Sequence, residues 1–171
     1  MYTEKYRTGL KRLFAAIVDG IVFMPLLLVE QWIYKTTDNV STLFIWGVFV
    51  SFAPLIYSVI LHYKNGQTIG KWVAGVKVVD ISETGNITLR QSIYRDSFYL
   101  AVALVGLIYY SFLLTGSDDK ESILADYSNF SDNPVFWWTL IELITMLTNS
   151  KRRALHDFIA KSIVVRAGAS A

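Results

Sequence analysis

The sequence predicts an all-α integral membrane protein, with four transmembrane helices and a small cytoplasmic cap containing short strands. Three observations carry this. Of the 171 residues 53% are hydrophobic and only 18% charged, and mean hydropathy is +0.39; this balance suits a bilayer and leaves one compact unit without a separate soluble domain. Apolar runs recur at about the 20-residue length that crosses a hydrocarbon core. Finally, 14 of the 16 Lys and Arg residues lie in the N-terminal arm, the middle loop and the tail, with only Lys35 and Lys120 elsewhere. That bias places both termini and the middle loop in the cytoplasm of a multi-pass inner-membrane protein.

The first span covers residues 13–34. Lys5, Arg7, Lys11 and Arg12 precede it, Asp19 and Pro25 lie within it, and Glu30, Gln31 and Trp32 read as its far interface. Its basic start resembles a signal sequence, but Asp19 and the lack of an Ala-x-Ala site predict an uncleaved signal anchor. Pro25 predicts a local kink. The second span, residues 41–63, is nearly uncharged, holds Pro54 and exits at His62, Tyr63 and Lys64.

The middle loop, residues 64–95, opens with Gly66-Gln67-Thr68-Ile69-Gly70-Lys71. Val76-Lys77-Val78-Val79 reads as a strand, residues 82–86 as a turn, and Ile87-Thr88-Leu89 as a returning strand. The third span covers residues 96–115. An acidic outer linker follows with Asp118, Asp119, Glu121, Asp126 and Asp132. A fourth, short span, residues 134–148, starts at Asn133-Pro134 and contains Glu142. The tail, residues 149–171, holds a basic cluster, a helix-like stretch and a strand-like one. It echoes the middle loop: Trp72-Val73-Ala74 matches Phe158-Ile159-Ala160, and Lys77-Val78-Val79 matches Ile163-Val164-Val165, at one constant offset.

There is no cysteine and there are two histidines, a poor basis for a zinc site. No nucleophile–base pair stands out, so neither an enzyme nor a cofactor is expected, and no nucleic-acid partner. The Gly66–Lys71 run lacks the full phosphate-loop spacing, which leaves its glycines for tight turns or close helix packing.

Several of these residues together resemble the RDD family of small bacterial membrane proteins. The likeness rests on Arg12 leading into the first span, Asp19 within it, the run from Gly66 to Lys71, Gly75-Val76-Lys77-Val78-Val79-Asp80, and Leu155-His156-Asp157. The family is named for one arginine and two aspartates. Arg12 and Asp19 match the first two; Asp157 is assigned as the third, with Asp80 the alternative. The resemblance implies a transport role, and monovalent cation/proton antiport has been described for at least one member.

The charged residues carry two readings each. A carboxylate inside a span is costly unless it faces protein, water or a cation. Asp19 is therefore either one side of a structural ion pair, with Arg12 or a cation from another helix, or a carrier of a proton or monovalent cation, with Arg12 as its modulator. Arg12 also suits lipid phosphate or a plain topology anchor. Glu142 either joins Asp19 in a two-carboxylate cation site or sits shallow and wetted. His156-Asp157 either shifts charge near neutral pH or docks the tail, with Asp157 capping a turn or pairing with a base of the middle loop. The first functional expectation is a monovalent cation or proton transporter in the lipid bilayer, working as a homodimer. The second is a non-transporting scaffold or assembly factor whose buried charges hold helices together.

Overall fold

A computed structural model describes residues 4–116 and 120–168. Asp118 and Asp119 of the expected acidic linker lie outside the described residues. After a 3-10 turn at Glu4–Tyr6 come α1 (Gly9–Thr36), α2 (Val40–Asn65), α3 (Ile69–Val73), β1 (Val76–Asp80), α4 (Leu89–Arg95), α5 (Ser97–Gly116), α6 (Lys120–Thr148), α7 (Leu155–Ile159) and β2 (Ser162–Arg166).

Helices α1, α2 and α5 are long and apolar enough to cross a membrane. Pro25 and Pro54 lie inside α1 and α2 without ending them. The three helices expose large apolar side chains such as Leu13, Leu28, Ile45, Ile108 and Phe112, the surface a bilayer rewards and water does not. The buried apolar core lies elsewhere. Ala15 of α1 meets Ala74, Val76, Val78, Ile87 and Val164 beneath the cap.

The expected returning strand at Ile87-Thr88-Leu89 is a helix start instead. Thr88 accepts a hydrogen bond from the Gln91 N–H, and the Gln91 side chain accepts one from the Thr88 N–H. This capping box commits Leu89 to the first turn of α4. The partner of β1 is therefore the tail. β1 and β2 pair antiparallel, with Val76 opposite Arg166, Val78 opposite Val164 and Asp80 opposite Ser162.

The echo between loop and tail is structural. α3 and α7, and β1 and β2, are equal in length and stand 86 positions apart. Val78 and Val164, equivalent under that offset, face each other at the centre of the sheet. The order repeats along the whole chain. A short helical turn, two long helices, a short helix and a strand run from Glu4 to Asp80, and again from Leu89 to Arg166.

The fourth segment differs from expectation in extent. α6 starts at Lys120, so Glu121, Asp126 and Asp132 are helical, and Pro134 lies inside the helix instead of opening it. Among the described residues three helices, not four, meet the length and apolarity needed for a span, since the first half of α6 is polar. Packing shows what hydropathy missed. Phe98 stacks on Trp138 at 4.1 Å, while Tyr109 meets Phe130 at 4.8 Å and Tyr110 meets Tyr127 at 4.7 Å with tilted rings. These pairs run antiparallel, so α6 lies alongside α5 over roughly residues 122–141.

Candidate functional site

Side chains from distant parts of the chain converge on Asp157. Its carboxylate is fully buried. One oxygen accepts from Arg12 at 2.8 Å and from the Ala154 N–H at 2.9 Å, so Asp157 caps α7 while holding α1. The other oxygen accepts from Arg95, which also donates to Ser162 Oγ at 2.9 Å. Burial would raise this carboxyl, but Arg12 and Arg95 outweigh it and hold it well below the usual carboxylate range. His156 completes the cluster. Both arginines donate to its Nε2, at 3.1 Å and 2.7 Å. Arginine has no acceptor, so Nδ1 carries the proton and donates it to Glu142 Oε1. The cluster thereby ties α1, α4, α6, α7 and β2 together.

Arg12 and Asp19, read as a pair from their spacing, do not meet. About 10 Å of helix rise separates them, and each finds a nearer partner. Asp19 accepts from Tyr57 Oη at 2.7 Å, Thr68 Oγ1 at 2.7 Å and the Gly70 N–H at 2.8 Å. These donors are neutral, where a cation was expected. Asp19 thus pins the start of α3 against α1 and α2. Gly70 makes the approach possible, because a Cβ there would stand 2.1 Å from the Ala15 carbonyl and 2.7 Å from Asp19 Cγ. Gly66 serves the turn before it. It sits in the left-handed region at φ 70° and ends α2 by donating to the His62 carbonyl.

Between these two anchors lies a cavity of about 1440 Å³, bounded by α1, α2, α5, α6 and the cap. Asp19, Glu142 and His156 line it, as do Arg12, Lys71 and Arg95. So does Asp96, which stands between α4 and α5. Among the described residues the Asp96 carboxylate accepts one hydrogen bond, from Ser58 Oγ at 2.8 Å. Ser58 also meets His62 Nδ1 at 3.1 Å. His62 Nε2 is buried without a hydrogen-bond partner among the described residues. Burial and the nearby Arg95 push the Lys71 ammonium down to about 8.

Sequence reasoning missed Arg95, Asp96, His62 and Ser58. The available signal was an Arg-Asp pair at the mouth of a span, facing a Ser-x-x-x-His stripe at helical spacing. It also missed Glu83, which holds the cap's outer edge through Lys5 at 2.7 Å, Lys151 at 2.8 Å and Tyr6 Oη at 2.8 Å. Asp80, the alternative third family residue, lies apart from the cavity and accepts from Gln91 and Ser82 in the cap. Among the described residues no group of three or more His, Asp or Glu is placed to hold a metal ion.

Comparison with known proteins gives one match: the model described as the RDD family aligns with residues 6–128. No curated protein and no solved structure matches. The aligned stretch contains Arg12, Asp19, Lys71, Arg95 and Asp96, while Glu142, His156 and Asp157 lie beyond it.

Proposed function

The chain belongs to the RDD family, and on that premise we propose that it exchanges a monovalent cation for a proton across the bacterial inner membrane. The observation that carries the reading is the single cavity faced by Asp19, Asp96 and Glu142. A buried carboxylate is tolerable when it holds either a proton or a cation. One group that alternates between the two couples their movements. Asp96 suits the task, with one side-chain hydrogen bond among the described residues, a half-buried setting and free space before it. Glu142, linked through His156 to Arg12 and Arg95, is the second carboxylate of the cavity in this reading. Asp19, with its three donors, positions α3 in this reading.

In this reading α6 is the fourth span and both termini are cytoplasmic. β1 and β2 share one sheet, so both lie on one side of the membrane. α5 leaves that side and α6, packed antiparallel to it, returns. Two halves with the same element order surrounding a polar cavity is the plan on which many secondary transporters are built, an analogy at the level of fold. A second copy of the chain would cover the exposed polar face of α6 at Asp126, Asn129, Asp132 and Asn133.

The alternative, a non-transporting scaffold, is favoured by the saturation of Asp19 and Asp157 with protein partners. Vesicles containing the purified protein, an internal pH dye and an imposed sodium or potassium gradient separate the two. Exchange in the wild type and its loss in a folded Asp96→Asn variant support transport. Absence of flux in the wild type supports the scaffold.

A further inference from the structure

Helices α1 and α6 meet at the cytoplasmic end, where a Cβ on Gly9 would lie 3.6 Å from Met146 Cε. Beyond that point the two helices leave an open groove, part of the same cavity. On α1 its wall is Leu13, Ala16, Gly20 and Phe23, which share one stripe at helical spacing. On α6 it is Thr139, Leu143, Met146 and Leu147, again one stripe. These walls are apolar and stand at the level of the spans. Leu13 is 62% exposed and Leu147 57%.

The mouth of the groove has a different character. Arg7, Lys11, Arg12, Arg152 and Arg166 line it. Arg12 is committed to Asp157, Lys11 to the Ala74 carbonyl at 2.9 Å, and Arg166 to Glu4 at 2.9 Å. Arg7 has only a loose, exposed pairing with Glu4 at 3.7 Å. The Arg152 guanidinium has no hydrogen bond or ion pair among the described residues. Its backbone is held at φ 51°, in the left-handed region that a non-glycine residue rarely occupies, while its carbonyl accepts from Arg12 at 3.1 Å. The clamp around Asp157 thus fixes an uncommitted cation at the lip of an apolar groove. The one carboxylate of α6 on the cavity, Glu142, is engaged by His156.

We propose that this groove seats an anionic phospholipid, with an acyl chain between α1 and α6 and the phosphate against Arg7 and Arg152. Basic pockets between membrane helices on the cytoplasmic side suit such headgroups, and guanidinium groups grip phosphate with two donors. A second copy of the chain fits poorly, because it would bring its own Arg7 and Arg152 to a rim that is already cationic. The inference is independent of ion exchange, since lipid retention is read without any ion movement.

The test uses the full chain in mild detergent, offered equal amounts of phosphatidylglycerol and phosphatidylcholine with the same acyl chains. Retained lipid is counted by native mass spectrometry. The wild type is expected to keep phosphatidylglycerol preferentially. R7Q/R152Q should weaken that retention by roughly fivefold per charge removed, about 25-fold in all, and weaken phosphatidylcholine, whose phosphate charge is offset by choline, much less. A16W, which fills the groove, should reduce retention of both lipids. Added salt should erode the preference of the unmodified protein, a readout that needs no variant. Equal retention of the two lipids by the wild type would overturn the proposal. So would equal binding of glycerol phosphate, which has no acyl chain, or conversion of a dimer to a monomer by A16W.

Discussion

Replacing Asp157 with asparagine keeps the side chain's shape and removes its charge. Two guanidinium groups, from Arg12 and Arg95, then face each other across a site with no counterion on that side. Breaking a buried ion pair by removing one partner costs about 3–5 kcal/mol. Arg95 is 3% exposed and cannot relax into solvent, whereas Arg12 is 11% exposed and can move a little. That places the expected loss near the lower end, about 3 kcal/mol, or a factor of about 150 in the folding equilibrium. The damage should concentrate in the cap, where the Ala154 N–H also loses its charged acceptor. The assay is protease cutting after Lys151, Arg152 or Arg153, together with thermal unfolding in detergent. D157N should be cut faster and melt lower, and R95M in the D157N background should recover part of the loss by removing the uncompensated charge. A shift below about 1 kcal/mol, the scale of an exposed pair, with no rescue by R95M, would refute the reasoning.

Gly70→Ala should separate α3 from α1, since its new Cβ would overlap the Ala15 carbonyl; a loss of at least the 1–3 kcal/mol typical of overpacking is expected in thermal melts. The Glu83 carboxyl is held down to about 2: burial raises it, and hydrogen bonds from Lys151, Lys5 and Tyr6 more than offset that. Its folded value is below the ordinary 4.5, so its stabilisation is present above about pH 4.5 and drains away as pH falls toward 2; Glu83→Gln should flatten this acid limb of the cap's melting curve. Lys71, pushed down to about 8 by burial, should show that apparent value in pH-dependent acylation, where an ordinary lysine would titrate near 10.5. The chain has no cysteine of its own, so single-cysteine labelling is clean: Lys120→Cys should react from outside the cell, Lys151→Cys from inside, and Trp138→Cys from neither.

Hydropathy and charge made much of the fold readable. The 13–34, 41–63 and 96–115 segments correspond to α1, α2 and α5, because a helix in lipid must be apolar on nearly every face. α6 escaped the same logic. Its first half takes its place from tilted aromatic contacts of Tyr127 and Phe130 with α5, which a polar composition hides. The strand at Val76 was legible from alternation, but its partner was not, since pairing is a long-range event and Thr88 looked as strand-like as its neighbours until Gln91 made it a cap. At the site, Arg12, Asp19, Glu142, His156 and Asp157 were all singled out, and Asp157 was read as a cap paired with a base of the middle loop, which Ala154 and Arg95 bear out; the partners of Arg12 and Asp19 were misread. Spacing along one helix suggested Arg12 with Asp19. The fold sends Arg12 to a tail 145 positions away, and Asp19 to neutral donors on α2, the turn after it and α3. Asp96 drew no attention because a carboxylate at the mouth of a span normally meets water; burial by Ser58 and the cap is a property of the assembled halves.

The central claim is that a carboxylate in the cavity holds either a proton or a monovalent cation. It is met most directly by adding sodium or potassium chloride to the purified protein in weakly buffered detergent solution and following the pH. The account predicts protons released on cation addition, saturating with concentration, and no release from Asp96→Asn that melts like the wild type. A wild-type protein that releases none, or a variant that releases as many, would contradict it.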